Sequence, residues 1–249
     1  MKHRIGCLII HGFNGTTSDV EPLSEYLQSK GFITFCPSLK SSVENRRTFS
    51  NTSYRDWIES AESGLIYLKS KCKKIVIIGL YMGGLIAINF ATRFKNFGVI
   101  TINVPIYHWD MKSIYYNILI DFKTKDFNNM KRYAKTSTEF SISKLVNFGM
   151  FLRKTKHILE EVKTPIFIAQ SLKDDTVNYK SAEYIYKRVS SNLKVLKYYD
   201  KLNPNLFISP DYNLFFADIE KFIKQIIQRE SDMSNRILPN YTYLSGTYN

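Results

Sequence analysis

Tyr81 stands where a reactive side chain is expected. It is the centre of Gly79-Leu80-Tyr81-Met82-Gly83, preceded by the β-branched run Ile75-Val76-Ile77-Ile78 and followed from Leu85 by an apolar helical pattern. A buried strand, a tight Gly-x-x-x-Gly turn and a helix form the architecture of a nucleophile elbow. There the central residue rides a strained turn at the carboxyl edge of a parallel sheet, and the glycines let strand and helix backbones approach closely. The chemistry of such a turn asks for serine, and Ser63 and Ser70 belong to the preceding helical region rather than to the turn. A free phenol, with a pKa near 10, is ionised in about one molecule per thousand at neutral pH, so a tyrosine nucleophile needs a base. The only histidines are His3, His11, His108 and His157.

The elements that would hold this turn alternate between strand and helix. Ile5 to Ile10 reads as a strand ending in the glycine-punctuated His11-Gly12-Phe13-Asn14-Gly15. Pro22 to Leu27 is amphipathic and stops at Gly31, and Phe32 to Cys36 is a second strand closed by Pro37. Lys40 to Thr52 is a polar loop. Tyr54 to Ser70 carries Trp57, Ala61, Leu65 and Leu68 on one helical stripe, and Gly98 to Ile102 is a further strand. Residues 106–160 are helix-rich, aromatic and basic, without a strand pattern, and read as an insertion over the sheet edge. The rhythm resumes with Pro165 to Ala169 as strand, Ser181 to Val189 as helix, Lys194 to Tyr199 as strand and Leu214 to Ile227 as a last helix. Residues 229–249 lack periodicity and read as a loose tail. Such alternation predicts an α/β fold, a mostly parallel sheet with helices on both faces.

Composition narrows the function classes. With 249 residues, 44% of them hydrophobic, the chain can bury one large core, which places one domain over residues 1–228. Cys7, Cys36 and Cys72 are odd in number and lack metal-ligand spacing, so neither a disulfide framework nor a metal site is expected. No cofactor is expected either. No apolar run reaches the roughly 18 residues of a membrane span, and Cys7 to Ile10 is too short for a signal-peptide core, so a cytoplasmic protein is expected. The net charge of +13 is spread over lysines in most elements, and nucleic acid is not the expected partner. Short basic clusters, Lys69 to Lys74 and Arg153 to Lys156, read as helix ends, where cations suit the dipole.

Four stretches together carry a resemblance: Leu8-Ile9-Ile10-His11-Gly12-Phe13-Asn14-Gly15, Ile78-Gly79-Leu80-Tyr81-Met82-Gly83-Gly84, Thr101-Ile102-Asn103-Val104-Pro105 and Lys173-Asp174-Asp175-Thr176-Val177-Asn178. In this order the chain resembles the α/β-hydrolase superfamily, and within it the small bacterial carboxylesterase and monoacylglycerol-lipase branch. The resemblance implies the α/β-hydrolase fold, ester hydrolysis by a Ser, Asp, His triad, and a helical cap over an acyl pocket. Carried over, it puts the oxyanion hole on the backbone N–H groups of Phe13 and Met82. His11 becomes a loop-shaping residue, and Asp174 the triad acid, with Asp175 as the alternative. Two positions depart from the pattern. The nucleophile position is Tyr81, and Leu206 or a neighbour occupies the place of the histidine, since none of the chain's histidines follows Asp174. The expectation is a non-hydrolytic member of the superfamily that binds a small apolar or acyl-type ligand. The alternatives are an ester hydrolase with another nucleophile, such as Ser38 or a cap serine, and a scaffold or polyanion-binding protein. Tyr81 is also expected to hydrogen-bond Asp174 across the gap that serine and histidine fill together in relatives.

Overall fold

Short β-branched runs separated by amphipathic helices give the chain its sheet, and the computed structural model describes residues 5–12, 15–40, 52–95, 97–107, 142–172, 174, 176–200 and 212–237. The strands are β1 (Ile5–Ile10), β2 (Ile33–Phe35), β3 (Lys74–Leu80), β4 (Gly98–Ile102), β5 (Ile166–Ser171) and β6 (Lys194–Tyr199). They lie in the order β2-β1-β3-β4-β5-β6, and every pairing is parallel. The four inner strands are buried nearly throughout, while β2 and β6 at the edges are half-buried. That is why the inner strands read as continuous apolar runs instead of alternating.

Helices cover both faces. On one face α1 (Glu21–Ser29) and α6 (Tyr212–Ile237) pack Leu23, Leu27, Phe215, Ile219 and Phe222 against Ile9, Ile78 and Ile100. The other face carries α2 (Tyr54–Lys71), α3 (Met82–Arg93), α4 (Ile142–Ile158) and α5 (Lys180–Arg188), around Trp57, Leu65, Phe90, Phe151 and Ile185. Helix α3 is buried from Met82 to Ala91, so its sequence is apolar all round. At the start of α2, Asp56 accepts hydrogen bonds from the N–H and hydroxyl of Ser53 at 2.8 and 2.7 Å, a cap that also holds its carboxyl below the usual range.

Two sequence expectations are corrected. Helix α6 does not stop at Ile227 but runs to Ile237, so residues 229–237 of the expected loose tail are helical. From Gln228 to Met233 it is exposed and mostly polar, and a stretch without an apolar stripe shows no periodic signal. Residues 238–249 lie outside the described residues. The expected insertion over the sheet edge, residues 106–160, is described only at 106–107 and 142–160. Of these, α4 belongs to the body: Phe148, Phe151 and Leu152 enter the same core as Trp57. The Phe151 ring stacks on Tyr54 at 5.5 Å, and Thr155 Oγ1 accepts a hydrogen bond from Asn89 Nδ2 at 2.9 Å. Aromatic, basic composition does not distinguish a helix laid on the body from one laid over the sheet edge.

Candidate active site

The turn at Tyr81 has the strained backbone its glycines imply. Strand β3 ends at Leu80, α3 begins at Met82, and Tyr81 between them has φ 49° and ψ −115°. Its N–H donates to Ile102 O at 2.9 Å, and Gly84 N–H donates to Tyr81 O at 3.0 Å, so the turn is tied to β4 and into α3. A Cβ on Gly79 would lie 2.2 Å from Gly83 O, and one on Gly83 would lie 2.3 Å from Ile10 O. The close approach of β1, β3 and α3 therefore requires glycine at both positions. A non-glycine residue at positive φ costs on the order of 1–3 kcal/mol, and it persists where the surroundings over-determine it.

Beyond the carboxyl end of β5, Asp174 is held by five donors. Its Oδ1 accepts from Thr176 N–H (2.8 Å), Thr176 Oγ1 (2.6 Å) and Val177 N–H (2.8 Å), an Asx-type turn that fixes the carboxylate. Its Oδ2 accepts from the Tyr81 hydroxyl at 2.7 Å and from Asn103 Nδ2 at 2.8 Å. The expected bond between Tyr81 and Asp174 is present and direct. The Tyr81 ring is partly buried and packs against the core of the α1 and α6 face.

Asn103 is a site residue whose role the motif around it, Thr101 to Pro105, does not disclose. It takes φ 49° just past β4, and its side chain is fully buried. Its Oδ1 accepts from Ser171 N–H at 2.7 Å, its Nδ2 donates to Asp174, and its own N–H donates to Ala169 O at 3.0 Å. One side chain thus clamps the ends of β4 and β5 and aims the carboxylate. The available signal was an asparagine directly after a strand and before Val104-Pro105, a residue type that tolerates left-handed backbone.

His11 is fully buried at the end of β1. Nε2 accepts from Leu39 N–H at 3.3 Å, which leaves the proton on Nδ1, and Nδ1 donates to Gly12 O at 2.8 Å. Both ring nitrogens serve the loops after β1 and β2, a structural role. His157 is exposed in the last turn of α4, and Ser38 is exposed after β2. The Met82 N–H lies in the first turn of α3, where N–H groups have no intrahelical acceptor and the dipole favours negative charge. Phe13, Asp175, Leu206, His3 and His108 lie outside the described residues. Among the described residues no three His, Cys, Asp or Glu side chains gather as a metal site.

Among the described residues, the side chains on the Asp174 carboxylate are the Tyr81 and Thr176 hydroxyls and the Asn103 amide, and none is a histidine. A phenol whose proton is donated to a carboxylate acts as a hydrogen-bond donor, not as an attacking oxygen.

Comparison with known proteins fits this frame. Residues 2–211 match the serine aminopeptidase S33 family. A thermostable monoacylglycerol lipase of Bacillus sp. (strain H-257) is 28% identical over 204 residues, covering 76% of this chain and 78% of that protein. A carboxylesterase of Bacillus subtilis (strain 168) is 23% identical over 226 residues, 88% and 92% of the two chains. Among solved structures, one from a study of the metagenome-derived lipolytic enzymes LipS and LipT superposes with a TM-score of 0.74 at 20% identity, covering 90% of this chain and 94% of that one. The monoacylglycerol lipase of Paleococcus ferrophilus superposes with a TM-score of 0.66 at 15% identity, covering 88% and 94%. With six parallel strands, a strained elbow and a family match over most of its length, the chain belongs to the serine aminopeptidase S33 family and is a lipase- and esterase-like protein of the α/β-hydrolase fold.

Proposed function

We propose that this chain is a non-hydrolytic member of its family, in which Tyr81 holds the nucleophile position, Asp174 the acid position and Leu206 the histidine position, and that it binds a small apolar or acyl-type ligand. The observation that carries the reading is the 2.7 Å hydrogen bond from the Tyr81 hydroxyl to Asp174 Oδ2. That bond occupies the carboxylate a triad would use to orient its histidine. Removing single members of such a triad lowers turnover by roughly four to six orders of magnitude, and two are replaced in this reading. The oxyanion positions, Phe13 and Met82, are backbone groups and survive side-chain replacement. Together with the acyl substrates named for two relatives, they support an acyl-type ligand.

The test is intact-mass analysis after fluorophosphonate treatment, run beside hydrolysis of short-chain p-nitrophenyl esters. The expected result is no adduct and no turnover above buffer. A stoichiometric adduct on the wild-type chain would overturn the reading and point to another serine. Tyr81→Ser alone should stay inactive for lack of a base, and Tyr81→Ser with Leu206→His should exceed it. Calorimetric titration with a non-hydrolysable monoacylglycerol ether checks the ligand, and no heat of binding would count against the ligand class.

A further inference from the structure

Lysines that scatter along the sequence gather in space. In a parallel sheet the helices run back against the strands, so their carboxyl ends converge on the amino edge of the sheet, opposite Tyr81. The last turns there are basic: Lys69 and Lys71 on α2, Arg93 on α3, Lys187 and Arg188 on α5. The helix dipole accounts for cations within those turns. It does not account for Lys73, Lys95 and Lys163, which are exposed in the links into β3, β4 and β5 and have no carboxylate partner among the described residues. At the carboxyl edge the described charge runs the other way, with Asp19, Asp56, Glu59, Asp174 and Asp200 against Lys40, Arg55 and Lys180.

Apolar groups lie among these cations. A groove of about 680 Å³ at the amino edge is walled by Lys95, Lys163 and Arg229, by the carboxylates of Asp232 and of Glu230, which pairs with Lys74, and by Phe97, Leu193 and Met233. Met233 is 64% exposed on the last turns of α6. At 26 residues that helix is about 39 Å long, roughly twice the length of a six-residue strand, so it overhangs the sheet. Ile66, near the end of α2, is 63% exposed beside Lys69.

We propose that the amino edge of the sheet is a docking surface for an anionic phospholipid bilayer, with Lys73, Lys95 and Lys163 facing the headgroup phosphates and Met233 entering the interface. A bilayer needs cations spread over one face and a few apolar side chains to insert, which is what this edge presents. RNA fits it less well, because the rings there are already covered. Lys69 and Arg93 lie over Phe94, and Lys74 over Phe97, which leaves those faces closed to base stacking. The proposal is independent of whether the Tyr81 site hydrolyses anything.

The test is co-sedimentation of the full chain with phosphatidylglycerol-containing vesicles and with pure phosphatidylcholine vesicles. Binding is expected to the anionic vesicles only, and to be lost at roughly 0.5 M salt, where the Debye length falls to a few ångströms. Each basic residue near the surface strengthens binding roughly fivefold. The combined change Lys73→Glu, Lys95→Glu and Lys163→Glu should therefore weaken it by at least about a hundredfold. The matched change Lys40→Glu, Arg55→Glu and Lys180→Glu at the opposite edge should leave binding within about twofold. Met233→Ser should weaken binding while keeping its salt dependence, and far-UV circular dichroism with the single substitutions guards against a folding defect. Equal binding to both vesicles, equal loss from the two triple variants, or tighter binding to single-stranded RNA at the same anionic charge would overturn the proposal.

Discussion

Tyr81 and Tyr199 each donate a hydroxyl hydrogen bond to an aspartate, at 2.7 and 2.8 Å, in two unlike parts of the molecule. Tyr199 lies on the regular edge strand β6 and reaches Asp218 on α6, where Lys197 also pairs with the carboxylate. Nothing in that backbone is unusual, and the pair fastens α6 to the sheet. Tyr81 sits at φ 49° on a turn that two glycines make possible, and its aspartate is held by an Asx-type turn and a buried asparagine. A tyrosine–aspartate bond alone therefore says little about function. What marks the Tyr81 pair is a strained scaffold kept where a plain turn would cost less.

The sharpest way to break the comparison is to destroy the scaffold and leave the hydroxyl alone. Gly83→Ala would set a Cβ 2.3 Å from Ile10 O, a clash with main chain that rotamers cannot relieve. A loss of about 3 kcal/mol or more is expected in chemical denaturation, and a loss under about 1 kcal/mol would mean the elbow is looser than drawn. Asn103→Ala comes next. It strips a partner from Ser171 N–H and from Asp174 and puts alanine at positive φ, for an expected loss of about 2–3 kcal/mol.

Smaller effects separate the two hydroxyls. Tyr81→Phe should cost about 1 kcal/mol, because Asn103 still serves Asp174 Oδ2, and Tyr199→Phe should cost a similar amount, because Lys197 still serves Asp218. Only the first should change binding of an acyl ligand; equal effects on binding would erase the functional distinction between the pairs. The smallest effect is alkaline. Burial, then the hydrogen bond to Asp218, raises the Tyr199 pKa, and burial with a bond to Glu220 pushes Tyr26 up to about 12. An unfolded tyrosine titrates near 10, so both hydroxyls contribute stability that is fully present below about pH 10 and lost as pH rises from there. Urea midpoints measured from pH 9 to 12 should show the gap between wild type and Tyr199→Phe closing at the alkaline end.

Much of the fold was legible because each inner strand carries an apolar, mostly β-branched run between helical patterns. Lys194 to Tyr199 is a strand in both readings, and the helix from Tyr54 ends within one residue of its expected limit. The end of α6 is not legible because the exposed, mostly polar run from Gln228 to Met233 carries no periodic signal, and the place of α4 is not legible because composition does not say which surface a helix covers. At the site, the spacing of Gly79, Tyr81 and Gly83 marked the elbow, and the lack of a histidine after Asp174 marked a departure from the pattern the chain resembles. The length of a tyrosine side chain suggested its reach to the carboxylate.

Local sequence determined the strands, the turn and the residue types, since periodicity and glycine spacing act over a few neighbours. Only the tertiary structure decided that Asn103, 71 residues from Asp174 along the chain, aims its carboxylate, and that His11 is spent on Leu39 and Gly12. It likewise decided that dispersed lysines share one edge. These are meetings between elements distant in the chain, set by strand order and by the direction in which helices return, and no local pattern encodes either.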